Sequence, residues 1–223
     1  MKNKGYYTCE RLDLLSLIPE GTGKVLDVGC GEGLLGKQIK DKLGAEVTGI
    51  ELDETSSRVA SDNLDKVISG NIETLDLPFG KGQFDCIVAA DVLEHLTEPW
   101  KTLKELRVFL KDNGLIVSSI PNIRYYKAVI RLFKGYWDYV DHGILDRSHL
   151  RFFTLINIEE MFTEAGFSIE KIVRNKVSAR GFRILNRVLL GSLKDFLTYQ
   201  YYIVARKDPS LQQEGAKRQA IQF

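Results

Sequence analysis

Two stretches of the chain gather side chains able to move a proton. HGILDRSHLRFFT, residues 142–154, holds two of the three histidines, with Asp146, Arg147 and Arg151 set among apolar neighbours. The third, His95, follows a carboxylate in DVLEHL, residues 91–96. A histidine changes charge near neutral pH, so these are the residues to deprotonate a hydroxyl or amine. The alternative is a hydrogen-bonded cluster that fixes its own loop and does no chemistry, with His95 packing or acting as a hinge. Glu94 and His95 also raise the question of a divalent ion. One adjacent pair without a second histidine at ligand spacing does not make a site, so no metal is expected.

A third stretch, VLDVGCGEG (residues 25–33), is an apolar run that ends in glycines just before a helical pattern. Gly29, Gly31 and Gly33 let backbone approach a ligand closely, and the helix start that follows presents N–H groups to an anion, either a pyrophosphate or a carboxylate. Gly31, Gly33 and Gly36 satisfy GxGxxG, and Glu51 stands at the end of the next apolar run, where a carboxylate accepts ribose hydroxyls. Asp27 inside the first strand argues against a dinucleotide. It suits a cationic ammonium, which NAD does not offer at that place.

Positioning these groups falls to an alternation of short apolar runs and helical patterns. The runs are residues 24–29, 45–52, 65–70, 84–90 and 114–120, and the helices are 34–43, 55–63 and 100–110, the last opened by Pro99. Strand, helix, strand alternation implies parallel βαβ units. After Pro121 a basic amphipathic helix is expected within 123–137, where Arg124, Lys127, Arg131 and Lys134 recur among aromatics. Thr154 reads as the cap of a helix running to about Ala165, with Gly166 ending it and FSIEKIV as a sixth strand. A second basic insertion, 176–197, precedes a last strand, YQYYIVAR, and residues 208–223 form a polar tail. One domain over 1–207 is expected, with the insertions 123–150 and 176–197 as a lid.

In this order the motifs resemble those of class I S-adenosylmethionine-dependent methyltransferases, most closely the small-molecule branch marked by DVLEHL. The resemblance covers roughly residues 6–206. It implies a Rossmann-like, seven-stranded, mostly parallel sheet with helices on both faces, the last strand antiparallel, and helical insertions after strands 5 and 6. It also implies S-adenosyl-L-methionine as cofactor and S-adenosyl-L-homocysteine as product. VLDVGCGEG matches the methionine-binding loop (Asp27, Gly29, Cys30, Gly31, Gly33), and GIELD matches the ribose-binding strand end (Glu51, Leu52). SGNIETLDLPF resembles the adenine segment through Asn71 and Ile72, with Asn71 where the family commonly has Asp. FDCIVAADVLEHL places Asp91 at the edge of the active site, and the leader GYYTCERLDLL resembles a cover over the cofactor, with Tyr7 and with Arg11 meeting the methionine carboxylate. WDYVDHGILDRSHLRFFT resembles a segment of a subgroup encoded near glycosyltransferases, where it returns the chain across the top of the pocket; that location implies His149 first and His95 second as general base, with Asp146 and Arg147 toward the acceptor.

A composition of 44% apolar and 27% charged residues is that of an ordinary globular domain. Cys9, Cys30 and Cys86 are far apart and odd in number, which reads as free thiols in a reducing compartment. With no long apolar run and no leader signal, a cytoplasmic location is expected. The net charge of +1 conceals −6 over residues 1–122 and +7 over 123–223. That local excess suits an anionic or lipid-linked small-molecule acceptor, or a peripheral contact with an anionic membrane, beside the plainer reading of solvated helices. Nucleic acid is not expected as a partner, since no base-flipping tetrapeptide ends the fourth strand. The expected reaction is methyl transfer to a hydroxyl of a sugar, glycan, or nucleotide- or lipid-linked saccharide. A quinone-like, lipid-like or macromolecular acceptor, or a non-catalytic cofactor-binding module, is the alternative.

Overall fold

The computed structural model describes residues 11–176 and 193–211. Its framework is a seven-stranded sheet in the order β3-β2-β1-β4-β5-β7-β6. The strands are β1 (Lys24–Val28), β2 (Glu46–Glu51), β3 (Lys66–Ser69), β4 (Phe84–Ala90), β5 (Leu110–Pro121), β6 (Phe167–Lys176) and β7 (Thr198–Lys207). All pairings are parallel except the two made by β7, which runs against both β5 and β6. This is the sheet expected from the sequence, down to its antiparallel last strand.

Helices cover both faces, and the strand residues sort themselves accordingly. Along β4, Cys86 and Val88 pack on one face while Ile87 and Ala89 pack on the other. Along β7, Tyr202 and Val204 alternate in the same way with Tyr201, Ile203 and Ala205. A strand buried on both sides must be apolar at every position, which is why these segments read as continuous apolar runs. One face packs against α1 (Leu12–Leu15), α2 (Leu34–Leu43) and α3 (Glu54–Ala60), through Leu14, Ile39 and Ala60. The other packs against α4 (Pro99–Phe109) and α6 (Leu155–Glu164), through Leu103, Leu106, Ile158 and Phe162.

The helix starts follow their local chemistry. Pro99 opens α4 at a position whose N–H has no intrahelical partner to lose. Thr154 caps α6: its hydroxyl accepts from Asn157 N while the Asn157 side chain reaches back to the cap backbone. Gly166, at φ +82°, then turns the chain into β6.

The first insertion is shorter in helix than its pattern suggests. Only Tyr126–Phe133 is helical (α5), and none of its residues is buried. Residues 134–154 return as a loop over a small apolar cluster of its own, in which Tyr125, Ile144 and Leu145 are buried against Phe152 and Tyr199. The second insertion lies mostly outside the described residues, as do Tyr7, Cys9 and most of the polar tail. No helix among the described residues is long and apolar enough to cross a membrane.

Candidate functional site

A cavity of about 530 Å³ opens at the carboxyl ends of β1, β2 and β4. The sheet order diverges there, since β1 is followed by β2 on one side and flanked by β4 on the other. Open α/β sheets bind ligands at such a switch point, because the loops on either side part and leave a crevice.

The turn after β1 forms the floor. Gly29 and Gly31 have φ of +67° and +56°, a region that side chains disfavour. A Cβ on Gly29 would also meet Val92 Cγ2 at 2.6 Å. The turn is held by Gly29 N and Cys30 N, both donating to Ile50 O, at 2.8 and 3.1 Å. Glu51 fixes the other side: Gly31 N donates to its Oε2 at 2.8 Å and Asp53 N to its Oε1 at 2.9 Å. The Glu51 carboxylate is thus locked in plane at the cavity wall, with further lone pairs on both oxygens for a ligand.

Asp27 is the electrostatic centre. It is buried, and its Oδ2 has no hydrogen-bond partner among the described residues. Burial first, then the nearby Glu51 charge, push its pKa up to about 7, with Arg11 acting the other way. An orphaned buried carboxylate facing a cavity is a fit for a ligand that brings its own positive charge. Beside it, Cys30 is packed against Gly49, where an added Cβ would meet Sγ at 2.6 Å. Burial raises the Cys30 thiol well above its usual range, so it stays protonated and inert.

At the far wall the chain leaves β4 through Asp91, a non-glycine residue at φ +56°. Asp91 is a hub: Arg11 Nη1 donates to its Oδ2 at 2.6 Å, Ser119 Oγ to its Oδ1 at 3.0 Å, and Gln200 Nε2 also to Oδ1. These bonds tie the segment before α1 to β4, β5 and β7, and they account for a backbone conformation that otherwise costs about 1–3 kcal/mol. Gln200 and Ser119 carried no signal in the sequence, since they sit in plain strand patterns and reach Asp91 only through sheet pairing.

Ten of the expected cofactor residues line this cavity: Arg11, Asp27, Gly29, Cys30, Gly31, Glu51, Leu52, Asn71, Ile72 and Asp91. Gly33 stands behind it as the left-handed residue that starts α2, and Tyr7 lies outside the described residues. Two of these positions also have partners within the protein. Arg11 is engaged by Asp91 and Ser119. The Asn71 amide oxygen accepts from Glu73 N at 2.9 Å, closing a turn.

Of the expected reactive residues, His95 lines the cavity and His149 does not. His149 is buried directly behind it, the two rings lying edge to face with centroids 4.7 Å apart. A carbonyl oxygen only accepts, so the contacts of His95 Nδ1 with Ser148 O (3.1 Å) and His149 Nδ1 with Ile144 O (3.0 Å) place a proton on each Nδ1. In the neutral rings both lone pairs then sit on Nε2, and His149 Nε2 is 4.0 Å from Glu94 Oε1. The return segment is pinned here as well, Leu150 N and Arg151 N both donating to Glu94 O.

Asp146 and Arg147 are placed differently from the expectation that both face an acceptor. Asp146 is buried, and its Oδ1 accepts from Ser148 N and Ser148 Oγ, shaping the turn that carries His149. Arg147 points to solvent and pairs with Asp141 at 3.0 Å. Two residues bracketing a tight turn leave it on opposite sides, and here only the small carboxylate is turned inward. Phe153 enters the core, and Arg151 donates to Thr97 O.

The crevice at the switch point, the glycine turn and the strand-end carboxylate define an α/β protein that binds a nucleoside-bearing cofactor. Residues 2–172 match the family model described as "Methyltransferase domain", and the chain belongs to that family. It is 30% identical over 172 residues to a malonyl-[acyl-carrier protein] O-methyltransferase of Geobacter sulfurreducens, a match spanning 74% of this chain and 64% of that relative. It is 26% identical over 185 residues to a demethylmenaquinone methyltransferase of Listeria monocytogenes, covering 74% of this chain and 78% of that one. Among solved structures, a SAM-dependent methyltransferase from Archaeoglobus fulgidus superposes with a TM-score of 0.67 at 20% identity, covering 88% of this chain and 91% of that one.

Proposed function

We propose that the protein transfers a methyl group to a hydroxyl of a small acceptor, and that the acceptor is a sugar or glycan, either free or carried on a nucleotide or lipid. The observation that carries this reading is the meeting of the two histidine-bearing stretches at the cavity, His95 on its wall and His149 against it. The saccharide reading rests on the resemblance of residues 137–154 to the segment of the glycosyltransferase-associated subgroup. When bound, S-adenosylmethionine supplies a methyl group already activated on a sulfonium. The protein has to hold and orient both partners and take up a proton from the acceptor.

In this reading Asp27 faces the ammonium of the methionine moiety, the backbone of residues 29–31 its carboxylate, and Glu51 the ribose hydroxyls. Leu52, Ile72 and Asn71 frame the adenine. Arg11 and Asp91 close the methionine end as a pair. The proton leaves the acceptor through the cluster of Glu94, His95 and His149, and His95 is the member that reaches it. This reverses the order in which the sequence ranks the histidines, because His149 is walled off behind His95.

A second acceptor class has its own support. The Listeria relative is named for demethylmenaquinone, and α5 exposes Ile130, Leu132 and Phe133, as an isoprenoid- or lipid-bearing acceptor favours. The same face and its cations fit a peripheral contact with an anionic membrane. Incorporation of labelled methyl from S-adenosylmethionine, screened over nucleotide sugars, lipid-linked saccharides and quinone precursors, decides between the classes. Incorporation into a quinone precursor alone ends the saccharide reading. Calorimetric binding of S-adenosylhomocysteine with no incorporation into any class leaves a cofactor-binding module. For the proton step, His95→Gln is expected to lower turnover on the order of a hundredfold with cofactor affinity retained; unchanged turnover removes His95 from the role.

A further inference from the structure

We propose that Glu94, His95 and His149 form a site for one divalent transition cation of the zinc class, open toward the cavity. Each residue offers one ligand atom, and the three atoms lie within 4.8 Å of one another. The sequence conceals this set, because His149 follows His95 by 54 positions. Two histidines and one carboxylate are the ligands of many catalytic zinc sites, in which three protein ligands leave a fourth position for water or substrate.

The surroundings supply a second, separate argument. A ligating histidine almost always donates its other ring N–H to a carbonyl or carboxylate, which fixes the tautomer and aims the lone pair. Both histidines do so here, His95 to Ser148 O and His149 to Ile144 O, and the two acceptors belong to the one loop that carries His149. That loop is clamped in turn by Asp146, which takes two hydrogen bonds from Ser148, and by Glu94 O, which takes two backbone N–H groups. The scaffold therefore gathers two histidine rings and a buried carboxylate into one set of donor residues, which a cation stabilises.

The fit needs the set to contract. Ligand atoms at about 2.1 Å from a tetrahedral zinc stand about 3.4 Å apart, against 4.0 Å between His149 Nε2 and Glu94 Oε1 and a spread of up to 4.8 Å over the three. Glu94 and His149 are buried while His95 lines the cavity, so the open side of the ion falls where the acceptor enters. The role there is to hold and polarise an acceptor oxygen; with an ion bound, His95 would be a ligand, and lowering the acceptor's pKa would replace proton uptake by His95. That role rests on the methyl-transfer reading, whereas occupancy of the site does not.

The test uses the full chain, stripped with a chelator. Zn2+ affinity is read by competition with a chromogenic chelator, and site geometry from the visible absorption of bound Co2+. One equivalent is expected to bind, to raise the thermal midpoint, and to be weakened at least about a hundredfold in Glu94→Gln, His95→Gln and His149→Gln. If a buried replacement fails to fold, His95→Gln at the cavity wall carries the test alone, with its metal-free melting curve as control. Binding of Zn2+ and Co2+ no tighter than to the triple variant, or unchanged in His95→Gln, overturns the proposal. S-adenosylhomocysteine binding in the same samples separates the two readings. Its retention without metal binding defeats the cation site alone, and metal binding without it defeats the methyl-transfer reading alone.

Discussion

Asp27 is where the chemistry of a single residue reaches furthest. With its pKa pushed up to about 7, it is largely protonated below neutrality in the cofactor-free protein. An ammonium placed beside it favours the carboxylate, so binding and ionisation are coupled. The sign follows: the free protein must lose the Asp27 proton to bind, hence affinity rises with pH and levels off above about 7. Well below that value the apparent affinity for S-adenosylhomocysteine falls about tenfold per pH unit. Calorimetry in buffers of different ionisation enthalpy is expected to show up to one proton released per cofactor near pH 6. Asp27→Asn binds more weakly and with a flat profile over the same range; a wild-type profile that is already flat removes Asp27 as the ammonium's partner.

The residues of this wall were legible because a glycine turn, a strand-end acid and a buried Asp are local in the chain, so motif and structure coincide. The reactive side was only half legible. Both histidine stretches stood out, but which histidine faces the cavity depends on how a loop folds back across the 54 positions from His95 to His149. Asp146 and Arg147 were expected to face one acceptor, and the turn sends the two apart.

Among the elements, strands and long helices follow directly from apolar periodicity, and the capping of α6 follows from Thr154 and Asn157. The insertion was harder: its cations and aromatics keep a helical rhythm from 123 to 137, yet α5 ends at Phe133. Gly135, at φ +84°, breaks the helix, and Arg131, which donates to Asp138, holds the turn that follows. The cap of α6 is a place to separate fold from function. Thr154→Ala is expected to cost about 1 kcal/mol, read as a lower urea midpoint. Turnover measured well below that midpoint should hold, since His149 is fixed by Ile144 O and the return segment by Glu94 O. Loss of turnover at unchanged stability would instead give the cap a part in aligning the histidine cluster.

For the whole molecule, the division of charge and the exposed face of the insertion point the same way. Residues 123–223 carry a net +7 against −6 for the rest. At the edge of that basic half, α5 and the turn after it expose Leu132, Phe133, Tyr136 and Tyr139, with Lys127 and Lys134 exposed beside them. Arg131 is already offset by Asp138, so Lys127 and Lys134 are the cations of this helix left to meet an anionic surface. Each lysine at such a surface is worth about 1 kcal/mol, and the attraction is screened within a Debye length. The protein is therefore expected to float with vesicles rich in phosphatidylglycerol at low salt and to dissociate in about 0.5 M salt. Replacing Lys127 and Lys134 together by Gln removes about 2 kcal/mol, roughly a 30-fold drop in partitioning. Phe133→Ser weakens it further without changing its salt dependence, because that residue contributes apolar burial and not charge. Methyl transfer to a water-soluble acceptor should be unaffected by all three changes, as none of these side chains lines the cavity. Failure of the wild type to float at low salt would end the membrane reading and leave a soluble anionic acceptor or solvated helices as the reading of the basic half.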